Sequence, residues 1–226
     1  MLAVSALVLV MAGWWTNWDL ALADAAFDRH ARVFSLRHAW FAETLNHTIL
    51  KRASIAFGSA AVLLALRDAW SPFGWPWLVR FRLRVLALSA VLVPALTSTL
   101  KQMSNAHCPW DLARYGGTEP YIRLFEALPA GVAAGHCLPA GHASSALWLI
   151  SLCVFFLPGS LARAALTLAA LLGFGMTVGW IQQLRGAHFL THTLWSMWIA
   201  VATVMVIVTL LDRCPGTRAQ ATAQIH

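Results

Sequence analysis

The stretch RGAHFLTH, Arg185 to His192, lies between two long apolar runs and places an arginine and two histidines within eight residues. Charged and titratable side chains are costly in hydrocarbon, so such residues at the edge of an apolar run mark an interfacial anchor or a functional site. Around it the chain carries little charge: charged residues make up 11% of the 226, hydrophobic residues 59%, and the mean hydropathy is +0.66. A water-soluble domain needs more charge than this to cover its surface.

Apolar runs of about 17 to 25 residues can cross hydrocarbon as helices. Six candidates are present: Leu2–Trp18, Ala53–Trp70, Leu83–Lys101, His142–Leu157, Ala162–Gln182 and Thr193–Leu211, the first and fourth of them short. They predict an all-α fold, an integral membrane six-helix bundle forming one domain over residues 1–226, without solenoid-type repeats. The first run resembles a signal peptide in its ALADA tail, but it lacks a basic leading segment and reads as a retained helix.

Basic loops set the orientation. With the N-terminus inside, the inner segments carry Arg67, Arg80, Arg82, Arg84, Arg163, Arg213 and Arg218 against only Asp68 and Asp212. The outer loops, about 16–52 and 101–141, are close to neutral. The pI near 10.1 therefore reports topology, and nucleic-acid binding is a poor reading of it. Trp14, Trp15, Trp18, Trp70, Trp75 and Trp77 fall near span ends, where indole rings anchor at the interface.

Three polar clusters share the outer end. LKQMSNAHCPWDL leaves the third run, CLPAGH enters the fourth, and RGAHFLTH joins the fifth to the sixth. Together they bring Lys101, His142, Arg185, His188 and His192 to one depth. Pro139-Ala140-Gly141-His142 reads as a loop feeding a helix, whose first amides are unpaired and favour an anion. Gly141 permits close approach of the backbone. Lys101 and Arg185 add charges suited to phosphate oxygens. His142, His188 and His192 can exchange protons near neutral pH or attack phosphorus. His188 and His192 are four apart and share a helical face, so one ring can orient the other.

These residues resemble the type 2 phosphatidic acid phosphatase superfamily, the lipid phosphate phosphatases. That family carries Lys, six residues, Arg-Pro; then Pro-Ser-Gly-His; then Ser-Arg, five residues, His, three residues, Asp. The resemblance covers roughly residues 101–196 and implies a six-helix membrane bundle with its site at one membrane face. By resemblance Lys101 binds phosphate, Ala140 and Gly141 lie in the second motif, and His142 protonates the leaving oxygen. His188 matches the nucleophile that becomes a phosphohistidine. His192 stands where the family has its supporting aspartate. Cys108 replaces the first arginine, Ala140 the serine, and Gln182 the second arginine, with Arg185 three residues further on. Arg114 and Arg123 are candidates to refill the phosphate site, and Asp111 to act as a local carboxylate.

Of the four cysteines, Cys153 and Cys214 read as free thiols, whereas Cys108 and Cys137 share the long outer loop. An oxidising compartment would join them in a disulfide, fixing Lys101 relative to His142. A zinc site using these cysteines with His107 or His136 fits none of the usual ligand spacings.

The reading is a metal-independent, cofactor-free hydrolase of a phosphomonoester or pyrophosphate on a membrane lipid. It would work at the periplasmic face of a bacterial-type inner membrane, with the bilayer and its lipid substrate as partners and an oligomeric state that is not legible. A phosphotransferase would use the same site. From other classes, a histidine-ligated haem or metal protein and an inactive structural relative are the alternatives. Substrates in view are phosphatidate, phosphatidylglycerophosphate, polyprenyl phosphates or pyrophosphates, and phosphorylated lipid A.

Overall fold

Four of the apolar runs form helices long and apolar enough to cross a membrane: α3, Leu50–Trp70; α4, Trp77–Gln102; α6, Leu161–Leu184; and α7, Leu190–Arg213. The structure, a computed structural model, describes residues 1–213, apart from the side chains of residues 45–47 and 142. Cys214 and Arg218 lie outside the described residues. The helices start and stop where the sequence provides the signal. Helix α4 starts after Pro76, and the Ser160 hydroxyl caps α6 by accepting from the Arg163 amide at 3.3 Å.

Helix α4 begins at Trp77, well before the expected Leu83. The arginines read as an inner loop are wound into its first turns, and two of them are held there. Arg80 Nε pairs with the buried Asp68 carboxylate at 2.8 Å, and Arg82 donates to the Leu157 carbonyl at 2.6 Å. Once paired in this way, the charges no longer oppose helix continuation.

The two short runs depart from the six-span expectation. The first stops at Trp15 in α1, Leu2–Trp15, where the Thr16 hydroxyl bonds back to the Ala12 carbonyl at 2.6 Å. The chain then bends by 67° into α2, Trp18–Ala26, so the described residues contain four long apolar helices, or five if the bent pair counts as one span. The fourth run is α5, Gly141–Leu147, continued as a 3-10 helix over Trp148–Phe156. The Ser151 hydroxyl donates to Trp148 C=O three residues back, in step with the tighter repeat. A 3-10 helix rises about 2.0 Å per residue against about 1.5 Å for an α-helix. These residues therefore cover roughly 28 Å, where an unbroken α-helix would cover about 24 Å.

The outward faces are apolar. Leu63 and Leu66 of α3, Leu161 and Leu166 of α6, and Val206 and Leu210 of α7 are exposed. Surface of this kind suits lipid and aggregates in water. Inside, Leu86 and Val93 of α4 pack with Leu147, Trp148 and Ile150 and with Ala200 and Val204 of α7. Gly175 and Gly179 of α6 let Leu147 and Thr193 approach so closely that a Cβ at either glycine would overlap them.

Between α2 and α3 lie a short antiparallel hairpin, β1 (Phe27–Asp28) with β2 (Val33–Phe34), and a π-helical turn, Phe41–Ile49. The long loop from α4 to α5 is zipped at its two ends. The amides of Gly135, His136 and Cys137 donate to the carbonyls of Asn105, Ser104 and Ala106 at 2.9 to 3.2 Å.

Candidate functional site

Helix α4 ends, and α5 and α7 begin, at the same end of the bundle. Lys101, in the last turn of α4, extends its Nζ to 4.0 Å from where a Cβ on Gly141 would stand. The loop that leads into Gly141 is clipped to α7. The Ala140 amide donates to the His192 carbonyl at 3.1 Å, and the Ser196 hydroxyl donates to the Ala140 carbonyl at 3.0 Å. The second and third motifs are thus joined through main chain. The backbone of His142 lies in the first turn of α5, and its side chain is among those not described.

His188 and His192 are both buried, and their rings meet edge to face with centroids 5.8 Å apart. His192 also bonds the Cys137 backbone, leaving its own Nδ1 buried without a hydrogen-bond partner. Cys137 sits between the two histidines: its Sγ is 3.4 Å from His188 Nδ1. Cys108 and Cys137 stand at disulfide distance, with Cα atoms 5.3 Å apart. Among the described residues, the histidine whose ring nitrogen shares the space of both sulfurs is His188.

Arg185 follows the last turn of α6 and points toward the first loop. Its Nε donates to the Arg37 carbonyl at 3.1 Å and its Nη1 to Gln182 Oε1 at 3.0 Å. Gln182, at the position expected for an arginine, donates in turn to the Ala42 carbonyl at 3.3 Å. Burial pushes the Arg185 guanidinium below its usual range, with the Glu43 carboxylate acting in the opposite sense. Arg185 and Gln182 therefore tie the first loop onto the third motif.

Four more contacts complete that cover. Phe34 packs on Gly186, whose φ of +76° and missing Cβ leave room for the ring. The Trp110 amide donates to the Gly186 carbonyl at 2.9 Å, and Arg37 lies over the Trp110 ring at 5.3 Å. Asp19 caps α7 from a distant segment, accepting from the Thr191 amide at 3.0 Å and from the Thr191 hydroxyl. Its charge lies at the positive end of that helix. Asp19, Phe34 and Arg37 have no fixed spacing to the motifs, so sequence reasoning does not assign them to the site.

The arginines proposed to refill the phosphate site are committed elsewhere. Arg114 pairs with Asp24 through Nε at 2.8 Å, and Arg123 donates to the Thr16 carbonyl at 2.7 Å and to Asn17 Oδ1. Asp111 lies in a 3-10 turn of the long loop, where burial pushes its carboxyl up. Two apolar grooves flank α4 near this end of the bundle. One of about 390 Å³ is lined by Leu100, Met103, Leu138, Pro139, Trp195 and Trp198. The other, about 490 Å³, is lined by Ser54, Gly58, Val62, Ala90, Ser145 and Trp148.

The model of the PAP2 superfamily matches residues 82–215, more than half of the chain. The chain belongs to the PAP2 superfamily. No curated protein and no solved structure matches it. The PAP2 match begins in α4, so Asp19, Phe34 and Arg37 lie outside the family region. PAP2 proteins are membrane phosphatases, and Lys101, His142 and His188, expected from the resemblance to be the family lysine and histidines, all fall within the matched residues. Cys108 and Gln182 stand where the resemblance leads one to expect the two arginines.

Maleimide labelling of unfolded, unreduced protein modifies Cys153 but neither Cys108 nor Cys137, and both become reactive after reduction. Labelling of Cys108 without reductant would contradict the pairing. Closing a loop of this length is worth on the order of 3 to 4 kcal/mol. Asp19→Ala removes the cap of α7 and costs about 1 to 2 kcal/mol, read as a lower unfolding midpoint in detergent. Asp19→Asn keeps most of that stability, and an unchanged midpoint in Asp19→Ala would refute the cap.

Proposed function

We propose that the chain is a membrane lipid phosphate phosphatase that hydrolyses a phosphomonoester or pyrophosphate through a phosphohistidine. The observation that carries this reading is the meeting of Lys101, Gly141, His188 and His192 at one end of an apolar bundle, in a chain of the PAP2 superfamily. Lys101 and the backbone at Ala140–Gly141 hold the phosphate oxygens. Nδ1 of His188 faces the Cys137 sulfur, which supports Nε2 as the attacking atom. A phosphorus–nitrogen bond forms as the bond to the leaving oxygen breaks, and His142 gives that oxygen its proton. Water then attacks the phosphohistidine, His142 takes its proton, and inorganic phosphate leaves.

His192 acts as a positioning residue: it bonds the Cys137 backbone while Cys137 lines the His188 ring. Arg185 holds the first loop in place as a cover that limits water at the phosphate. The grooves beside α4 favour a lipid over a small soluble ester, because a chain attached to the phosphate can lie in them. The basic helix ends around Arg67, Arg80 and Arg84 support an inward-facing opposite end, and with it a site at the outer face of an inner membrane.

The test is inorganic phosphate release by purified protein from phosphatidate, phosphatidylglycerophosphate, polyprenyl pyrophosphate and phosphorylated lipid A. Release is expected to persist in EDTA and to fall by at least about a thousandfold in His188→Ala. Full activity in His188→Ala would sink the nucleophile assignment. Release from none of the lipids, with phosphate moved to an added lipid or sugar acceptor, would identify a transferase with the same first half-reaction.

A further inference from the structure

The structure leaves a deficit of positive charge at the proposed phosphate site. Both motif arginines are absent, Arg114 and Arg123 are paired elsewhere, and Arg185 binds Arg37 and Gln182. Among the described residues, one other cation approaches the same place from outside the family region. It is Lys51, in the first turn of α3.

The packing of α3 on α5 fixes where Lys51 stands. The Ser54 hydroxyl donates to the Ser145 carbonyl, and Trp148 Nε1 donates to the Ser54 hydroxyl at 2.8 Å. One turn further along α3, a Cβ on Gly58 would stand 3.3 Å from the Trp148 ring. Ser54 with Ser145, followed by Gly58 with Trp148, advance together, so the two segments run parallel at this contact. One turn back on α3 from Ser54 is Lys51, and one turn back on α5 from Ser145 is His142. Lys51 therefore lies level with the second motif, where Lys101 Nζ also ends beside Gly141. The two ammonium groups interact electrostatically. Lys51 is exposed, and among the described residues no carboxylate or carbonyl holds it. Two like charges brought together without a counter-anion make a place that a dianion stabilises.

We propose that Lys51 is a phosphate-binding residue that, with Lys101, supplies the second cation the missing arginines would have provided. The ligand class is a phosphate monoester dianion, and the proposal rests on the phosphate-handling reading of the site. A lysine suits this place because a flexible ammonium reaches phosphate as a point charge, without the fixed fork an arginine needs.

The experiment uses the full chain in detergent micelles. Inorganic phosphate is titrated by ³¹P NMR against wild type, Lys51→Met, Lys51→Arg and Lys101→Met, and hydrolysis of phosphatidate in mixed micelles is measured beside it. The proposal expects phosphate to bind about tenfold more weakly to Lys51→Met and within about threefold of wild type to Lys51→Arg. It also expects a KM for phosphatidate raised by a similar factor and steeper weakening with salt in the wild type than in Lys51→Met. A free-phosphate effect without a phosphatidate effect would place Lys51 on the product only and overturn the substrate assignment. Unchanged binding in Lys51→Met, with binding lost in Lys101→Met, would overturn the Lys51 proposal and leave the site reading intact. A loss in Lys51→Arg as large as in Lys51→Met would mark a structural effect and also overturn it. Wild type that neither binds phosphate nor hydrolyses phosphatidate would overturn both readings.

Discussion

The Ala140 amide bonded to the His192 carbonyl is the contact on which the rest of the site depends. An apolar bundle can hold charged groups only at its ends, where backbone and side chains can be hydrated or paired. Lys101, the Gly141 loop and the His188 segment come from three separate parts of the chain, and each would be free to drift at such an end. The clip, reinforced by the Ser196 hydroxyl on Ala140 C=O, gives the second and third motifs a common frame. The Cys108–Cys137 pair and the zipped loop ends then fix the exit of α4 to that frame. Motifs that are 40 residues or more apart in sequence become one surface because main chain, rather than flexible side chains, joins them.

A second layer lies outside the family region. Asp19 caps α7, Phe34 fills the space above Gly186, and Arg37 offers its carbonyl to Arg185. All three belong to the segment between α1 and α3, and their contacts make that segment a cover over the third motif. They also give the buried Arg185 a structural task, holding the first loop to the third motif, which differs from direct phosphate binding.

Much of the fold was legible because hydropathy in a membrane chain is a strong signal. Four of the six runs became long helices, with boundaries moved mainly where arginines were paired, as at Arg80 and Asp68. The short runs were misjudged for physical reasons that composition does not carry. Thr16 folds its hydroxyl back on Ala12 and ends α1, and the segment after Trp148 tightens into a 3-10 helix. The nearness of Lys101, His188 and His192 at one end of the bundle was legible from motif order and spacing, and so was that of Cys108 to Cys137 from their shared loop. The contacts of Asp19 and Arg37 and the place of Lys51 level with Gly141 were not, because loop-to-helix contacts and the register of one helix on another leave no periodic trace. The arginine replacements failed likewise: Arg114 and Arg123 carry the right charge, but Asp24 and the end of α1 already hold them.

In the proposed mechanism His188 carries the phosphoryl group between substrate and water. The most direct measurement is a rapid quench of the protein with ³²P-labelled phosphatidate, followed by mapping of the labelled peptide. Transient label is expected on His188, stable in base and lost in mild acid, and absent from His188→Ala. Turnover without any labelled protein, or label on a residue other than His188, would contradict it.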